Sequence, residues 1–422
     1  MSENFEEMEK KILENLGKDK PIQVINTDAI VFENPIPGVH VAKTPIANAV
    51  WINTPAGTVL IDTLINHNVA SIMKERITDS GGLVKSIIYT HHHLDHIGGS
   101  MVFSEHIGEA YAHRYFGENL EKYGLLKPHR AKMASVQFNI PANPDRIPPI
   151  VQPTQTFDQS MVFAFGDRTF ELYHGRAETD DSIWAYVPEL KTAVVGDLII
   201  AGFPNIGNPF KPVRFALSWA RTLEQIKAKK PQVLIGNGAK GIYQGSEIDA
   251  LLDITIEAIY AIHDQVVEHI NAGTPLDEMI HLVKLPDHLK DHHCLRFVYS
   301  RPEFAVYNIY RWYHGYYDFN PANLLPRPDK EVNQEIFNLI GDKEAILKRS
   351  TQLLENGQAQ LALQVLDVLY KKEPDNIDAR KLRLLILQKC CEQDYCLMSR
   401  NAWVHAMQKD KAFLDKKGLL AE

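Results

Sequence analysis

The chain has 422 residues, 45% of them hydrophobic and 23% charged, with a formal net charge of −8. That length exceeds one ordinary domain and suits two, and the acidic balance argues against nucleic acid or an anionic membrane as a partner held by bulk electrostatics. No run reaches the roughly 20 apolar residues of a membrane span.

The first stretch, MSENFEEMEKKILENLGKDK, is charged throughout and lacks the apolar core of a signal peptide. The four cysteines (Cys294, Cys390, Cys391, Cys396) all fall late, without disulfide-scaffold or zinc-ribbon spacing. A reducing cytoplasm is the expected location. From about Val24 to Ile235, short β-branched runs alternate with turns and helices. HVAKTP, AVWINTPAGTVLIDT, SIIYT, EAYAHR, MVFAFGDRTFELYH, SIWAYVPELKTAVVGDLII and PQVLIG read as strands or hairpins. NVASIMKERITDSGG reads as a helix with a glycine stop, and RFALSWARTLEQIKAKK as an amphipathic helix ending in lysines. Parallel strand pairing is expected where a helix intervenes.

From Ser246 onward the strand signal stops. SEIDALLDITIEAIYAIHDQVVEHINAG is one long helical pattern closed by Gly273, and the stretch 333–393 reads as several helices with turns at Asn356-Gly357 and Pro374-Asp375. Its GQAQLALQVLDVLYKKEPDNIDARKLRLLIL portion resembles a single helical-hairpin repeat of the tetratricopeptide kind; one copy makes no solenoid, so it reads as part of a helical domain. The change of regime divides the chain into residues 1–245 and 246–422.

The stretch IIYTHHHLDHIGGS (Ile87–Ser100) carries the chemistry. Four histidines and one aspartate occupy positions 91–96, after an apolar strand and before a Gly-Gly pair. In an extended segment, side chains at i and i+2 share a side, so His91 and His93 can grip one ion together. Asp95 and His96 follow as the chain turns into a helix and can reach a second ion nearby. His92 falls between the liganding faces. A polar loop rich in histidine is the competing reading.

The His-x-His-x-Asp-His spacing resembles the signature of the metallo-β-lactamase fold, and further landmarks follow in order. NAVWINTPAGTVLIDT resembles the family's opening hairpin, with Asp62 at the strand end that supports the metal site. VVGDLI resembles the later strand that ends in a bridging carboxylate, here Asp197. Where most members carry a Pro-Gly-His-Thr loop, HGRAETDDSIWAYVP has Glu178 before Thr179, as in the alkylsulfatase branch. His174, four residues upstream, is the competing ligand. VYNIYRWYHGYYDFNPANLLP (306–326) is similar to a stretch in the helical dimerisation domain of alkylsulfatases. Asp318, Asn320, Pro321 and Ala322 match, while Phe319 replaces the usual glycine. The sterol-carrier-like domain of larger alkylsulfatases has no counterpart, as in a shorter subgroup.

The resemblance implies an α+β fold, an αββα sandwich followed by an all-α helical domain, and a homodimer. It implies a first Zn2+ held by His91, His93 and Glu178, and a second held by Asp95 and His96, with Asp197 between them. Asp95 and Asp197 are the expected catalytic carboxylates. PQVLIGNGAKGIYQG departs from the family, because Asn237 stands where a second-site histidine is usual. Three outcomes are open: a weakened binuclear site, a single ion, or a second site suited to manganese or iron. His113 or His174 is an alternative for the missing ligand.

In AGFPNIGNPFKPVRF, Lys211 and Arg214 are candidates for holding anionic ester oxygens, with Asn237 beside them, and Phe203, Phe210 and Trp219 for walling an apolar tail. Solvated loop charges and core aromatics are the plain alternative. Tyr123 and Arg130 read equally as channel lining or surface helix. His292-His293, beside Cys294, read as a polar pair at a helix end. The leading function is a metal-dependent hydrolase most like an alkyl sulfatase, acting on a small, anionic ester. A thioesterase, lactonase or phosphodiesterase, or a non-catalytic dimeric binding protein with a decayed second metal site, stands as the alternative.

Overall fold

The computed structural model describes residues 29–200, 202–238 and 240–419; the charged N-terminal stretch and the strand signal at 24–28 lie outside them. Strands β1 (Val31–Ile36), β2 (Val39–Lys43), β3 (Asn48–Thr54) and β4 (Gly57–Ile61) form an antiparallel meander. Helix α1 (His67–Asp79) then crosses back, its first turn closed by the Asn66 side chain, which accepts from the Asn68 and Val69 amides. The crossover lets β5 (Val84–Ile88) pair parallel to β4. Short α2 (Leu94–Ile97) precedes β6 (Glu109–His113), and α3 (Phe116–Leu125) and α4 (Lys127–Gln137) precede β7 (Gln155–Phe157), both strands again parallel. The seven strands lie in chain order.

The second sheet has six strands. β8 (Ser160–Phe165), β9 (Arg168–His174), β10 (Ile183–Val187) and β11 (Thr192–Gly196) are antiparallel neighbours. Helix α5 (Ala216–Ala228) carries the chain to β12 (Val233–Gly236), parallel to β11, and β13 (Ile242–Gln244) closes the edge. Parallel pairing thus falls where helices intervene, as the sequence pattern requires.

Between the sheets lies one apolar layer that includes Val41, Ile52 and Ile61 from the first and Leu172, Ile183 and Val194 from the second. Each such side chain, fully buried, contributes about 1.5–3 kcal/mol. The outer face of the first sheet buries Trp51 and Leu60 against Val69, Met73 and Ile77 of α1. The outer face of the second buries Trp184 and Leu234 against Trp219 and Leu223 of α5. The result is the expected αββα sandwich.

Helices follow: α6 (Ser246–Asn271), α7 (Leu276–Leu282), α8 (Asp287–Lys290) and α9 (Pro302–Tyr313). By packing, residues 29–134 and 141–314 form one compact unit, and 135–140 with 315–419 a second. The division by element type at 245/246 and the division by packing therefore differ. The reason is the apolar face of α6, whose Ile248, Leu252, Ile259, Ile262 and Val266 complete the layer over the second sheet.

In the second unit, α10 (Asp329–Ile340), α11 (Lys343–Glu355), α12 (Ala359–Lys372), α13 (Ile377–Gln393) and α14 (Leu397–Asp415) appear with turns at the two expected places. Asp342 caps α11, accepting from the Glu344 and Ala345 amides, and Gly357 takes a φ of +77° in the turn to α12. Leu353, Leu366, Leu369 and Ile386 share its core. Among the described residues, no helix is long and apolar enough to cross a membrane.

Candidate metal centre

The loops at the ends of β4, β5, β9, β11 and β12 converge, and each supplies a polar group that local backbone structure aims inward. His91, His92 and His93 follow β5 after two residues, in a chain that is still extended, so alternation sends His91 and His93 one way and His92 the other. His91 Nε2 and His93 Nδ1 stand 2.8 Å apart. Glu178 Oε2 is 3.7 Å from each of them, and Asp197 Oδ2 is 3.7 Å from His91 Nε2. The four residues each offer a ligand atom within 4.8 Å of the others.

These separations suit a cation, since tetrahedral zinc with bonds near 2.0–2.1 Å spaces its ligand atoms roughly 3.3 Å apart. Two further observations agree. Glu178 Oε2 is buried and makes no hydrogen bond, while its Oε1 accepts from Asn205 Nδ2 at 2.7 Å and is paired with the Arg214 guanidinium. Burial, followed by the charge of neighbouring histidines, pushes His91 and His93 well below the ordinary imidazole range, leaving neutral nitrogens with lone pairs to give.

Beside this group stand Asp95, His96 and Asp197. His96 Nε2 lies 3.3 Å from Asp197 Oδ1 and 3.8 Å from Asp95 Oδ2. Its Nδ1 is held by Asp62 Oδ2 at 2.6 Å, which fixes the ring with Nε2 toward the centre. Asp62, at a left-handed φ of +61° just past β4, is itself clamped by the Thr90 amide (2.8 Å) and hydroxyl (2.7 Å). Burial works to raise Asp197, but the His96 charge and hydrogen bond, then His91 and the Asn237 amide, outweigh it and hold the carboxyl at about 2.

Asn237 turns its amide in one direction only. The Asn48 backbone N–H is a donor, so the atom 2.7 Å away must be the Asn237 oxygen. The Asn237 NH2 group therefore faces the centre, donating to Asp197 Oδ1 and lying 3.4 Å from His96 Nε2. An N–H donor occupies the place where a ligand lone pair would be needed. Neither alternative histidine is at hand: His174 Nε2 and His113 Nε2 hydrogen-bond the carbonyls of Asp180 and Asp158 at 2.9 Å each, and the two rings stack at 3.9 Å.

Other candidates sort by what they touch. His92 pairs with Asp181, through Nδ1 at 2.8 Å and the backbone N–H at 3.1 Å. Arg214 is buried, and its guanidinium bonds the Glu178 carbonyl oxygen at 3.1 Å as well as the carboxylate, so it orients Glu178. The Lys211 ammonium makes no hydrogen bond or ion pair with a described residue, and burial, with Arg130 next, lowers it to about 8. Phe203 and Trp219 are core, Trp219 donating its indole N–H to the Leu198 carbonyl at 2.9 Å, and only Phe210 is half-buried. Tyr123 is buried, its ring 4.6 Å from His92 and stacked at 6.3 Å on His93, with the Arg130 guanidinium also over the ring.

His292, His293 and Cys294 come together as chain neighbours in one turn, with Cys294 Sγ 3.2 Å from His293 Nε2. Asn48, Asp181 and Asn205 escaped the sequence reading. Only Asp181, in the Thr-Asp-Asp run after Glu178, stood where a signal was available.

Comparison with known proteins agrees with this geometry. Residues 43–238 match the family described as the metallo-beta-lactamase superfamily, and 275–411 the one described as alkyl sulfatase dimerisation. A linear primary-alkylsulfatase of a Pseudomonas strain is 25% identical over 79% of this chain and 68% of its own length. An (R)-specific secondary-alkylsulfatase of Pseudomonas is 24% identical over 85% of this chain, which spans 59% of it. The solved structure of the stereoselective inverting sec-alkylsulfatase Pisa1 from Pseudomonas superposes with a TM-score of 0.82 at 21% identity, covering 94% of this chain and 69% of that one. Residues 43–238 thus carry a match to the metallo-β-lactamase superfamily, joined to a region that matches alkyl sulfatase dimerisation. That combination fits an alkylsulfatase-like branch.

Proposed function

We propose that this chain is a metal-dependent hydrolase of sulfuric esters, most like an alkyl sulfatase. The observation that carries the reading is the Glu178 carboxylate, one oxygen held by Asn205 and Arg214 and the other free toward His91 and His93. His91, His93 and Glu178 would hold one zinc ion, with Asp197 at its edge; the Asn237 amide beside His96 supports a single ion over two. A divalent cation there supplies Lewis acidity toward an ester oxygen and toward water.

The protein's own groups do the rest. Lys211, an unpaired cation, binds an anionic ester oxygen. Asp95, raised above the ordinary carboxylate range first by burial, takes a proton at Oδ2 from the attacking water. The water oxygen bonds to sulfur as the bond between sulfur and the alkyl oxygen breaks, and the proton held at Asp95 Oδ2 passes to the leaving alkoxide, giving the alcohol and hydrogen sulfate. We place this chemistry in the cytoplasm, consistent with four cysteines outside any disulfide, and in a homodimer, consistent with the exposed Tyr316, Phe319 and Leu325 of the matched dimerisation region.

The test is to count metal per chain in the purified full-length protein and assay alkyl sulfate hydrolysis before and after chelation. About one equivalent of zinc with chelator-sensitive hydrolysis is expected. Sulfatase activity that survives complete removal of metal would refute the reading.

A further inference from the structure

Helix α5 begins without a cap. Phe215 at its N-terminal boundary makes no side-chain hydrogen bond, and the amides of Ala216, Leu217 and Ser218 have no partner among the described residues. These three residues line a cavity of about 160 Å³ that Arg176, Arg214 and Arg221 also line, with no carboxylate among the lining residues. Arg214 is buried, and its Nε has no hydrogen-bond partner; the buried Nε of Arg176 has none either. Arg176 lies over the Phe215 ring, 3.8 Å from its centroid, and Trp312 stands edge-on to that ring.

Arg176 and Arg221 pair with no carboxylate among the described residues, and Arg214 is balanced by Glu178 but keeps its Nε unused. With the uncapped helix start they give the hollow a net positive lining. Donors left in this way cost free energy unless something accepts from them. A helix N-terminus favours anions through both its free amides and its dipole, and arginine adds planar, forked donors. The volume accommodates roughly five waters at about 30 Å³ each, or one tetrahedral oxyanion with a short substituent. Arg221 and Trp312 are exposed, so a solute can enter.

We propose that this cavity, walled by Arg176, Arg214 and Arg221 at the start of α5, binds a small tetrahedral oxyanion, sulfate or phosphate. The site is separate from the metal centre and is linked to it by Arg214, whose guanidinium also holds Glu178. It stands whether or not the chain hydrolyses sulfuric esters.

The experiment uses the full chain, stripped of metal and carrying Lys211→Ala, so that neither the metal centre nor its lysine takes the anion. Titration calorimetry with inorganic sulfate, phosphate and chloride is expected to give one saturable site for sulfate or phosphate and none for chloride. The tighter of the two identifies the source. Adding Arg221→Ala should weaken binding at least about tenfold, and adding Arg176→Ala further. Amide resonances of Ala216, Leu217 and Ser218 should shift on sulfate addition, a readout that needs no variant. Undiminished sulfate affinity in the Arg176→Ala, Arg221→Ala protein, no binding once Lys211 is removed, or unmoved amides in the unaltered chain would each overturn the assignment.

Discussion

Two regions of this molecule bury charge and treat it in opposite ways. In the helical unit, Asp410 lies at the α13–α14 contact with both carboxylate oxygens taken, by Arg380 at 2.6 Å and Arg383 at 2.5 Å. At the strand ends of the sandwich, His91, His93 and Glu178 point lone pairs at one another with no proton donor to satisfy Glu178 Oε2. Burying a charge is costly unless its partners are present in the fold. The helical unit closes its account internally, and the centre leaves it open for a cation. An incomplete buried network marks function; a complete one of the same residue types marks structure.

The largest effect that would break this contrast is removal of the two converging imidazoles. His91→Ala with His93→Ala should leave no bound zinc and no hydrolysis. Added zinc should then no longer raise the melting temperature, whereas the unaltered chain gains about 2.7 kcal/mol at a hundredfold excess over Kd. Metal analysis and calorimetry read both. On the other side, Asp410→Ala strands two arginines and should cost about 3–5 kcal/mol in denaturant unfolding without changing metal content. Loss of metal in that variant would show that the two networks are not independent.

Within the centre, Glu178→Gln should weaken zinc by more than about a hundredfold and Asn205→Ala by about ten- to a hundredfold, as expected for a group that only orients a ligand. His174→Ala should leave affinity unchanged; if the order reverses in chelator competition, His174 is the ligand. Asn237→His exchanges an N–H donor for a lone pair beside His96 and should raise zinc from about one equivalent per chain to about two. A count that stays at one would show the imidazole turned away.

The smallest effect is Lys211, through pH. Burial brings its ammonium down from 10.5 to about 8. Between these values the unfolded chain holds the proton and the metal-free folded chain has released it, so this group's contribution makes stability rise with pH across that window. Affinity for an anionic ester falls over the same range: KM should climb about tenfold from pH 8 to pH 10 and stay flat in Lys211→Ala.

Local pattern carried much of this in the sequence. Alternation in AVWINTPAGTVLIDT and the period of SEIDALLDITIEAIYAIHDQVV are set by neighbours within a few residues, so the strands and helices were readable. The spacing of His91, His93, Asp95 and His96 is local in the same sense, since one strand and one turn place all four. What spacing cannot express is which atom of a side chain meets which distant partner. Whether Glu178 or His174 faces the imidazoles depends on Asn205 and Arg214, and on Asp180 whose carbonyl holds His174. The face that Asn237 shows the centre is decided by an amide 189 positions away, on β3. Arg214 and Lys211, three residues apart in one loop, part company because only Arg214 is drawn to Glu178. Hydrogen bonds are directional and short, so their partners are chosen only when the folded chain brings the atoms together, whereas hydrophobic periodicity acts along the chain and can be read before it folds.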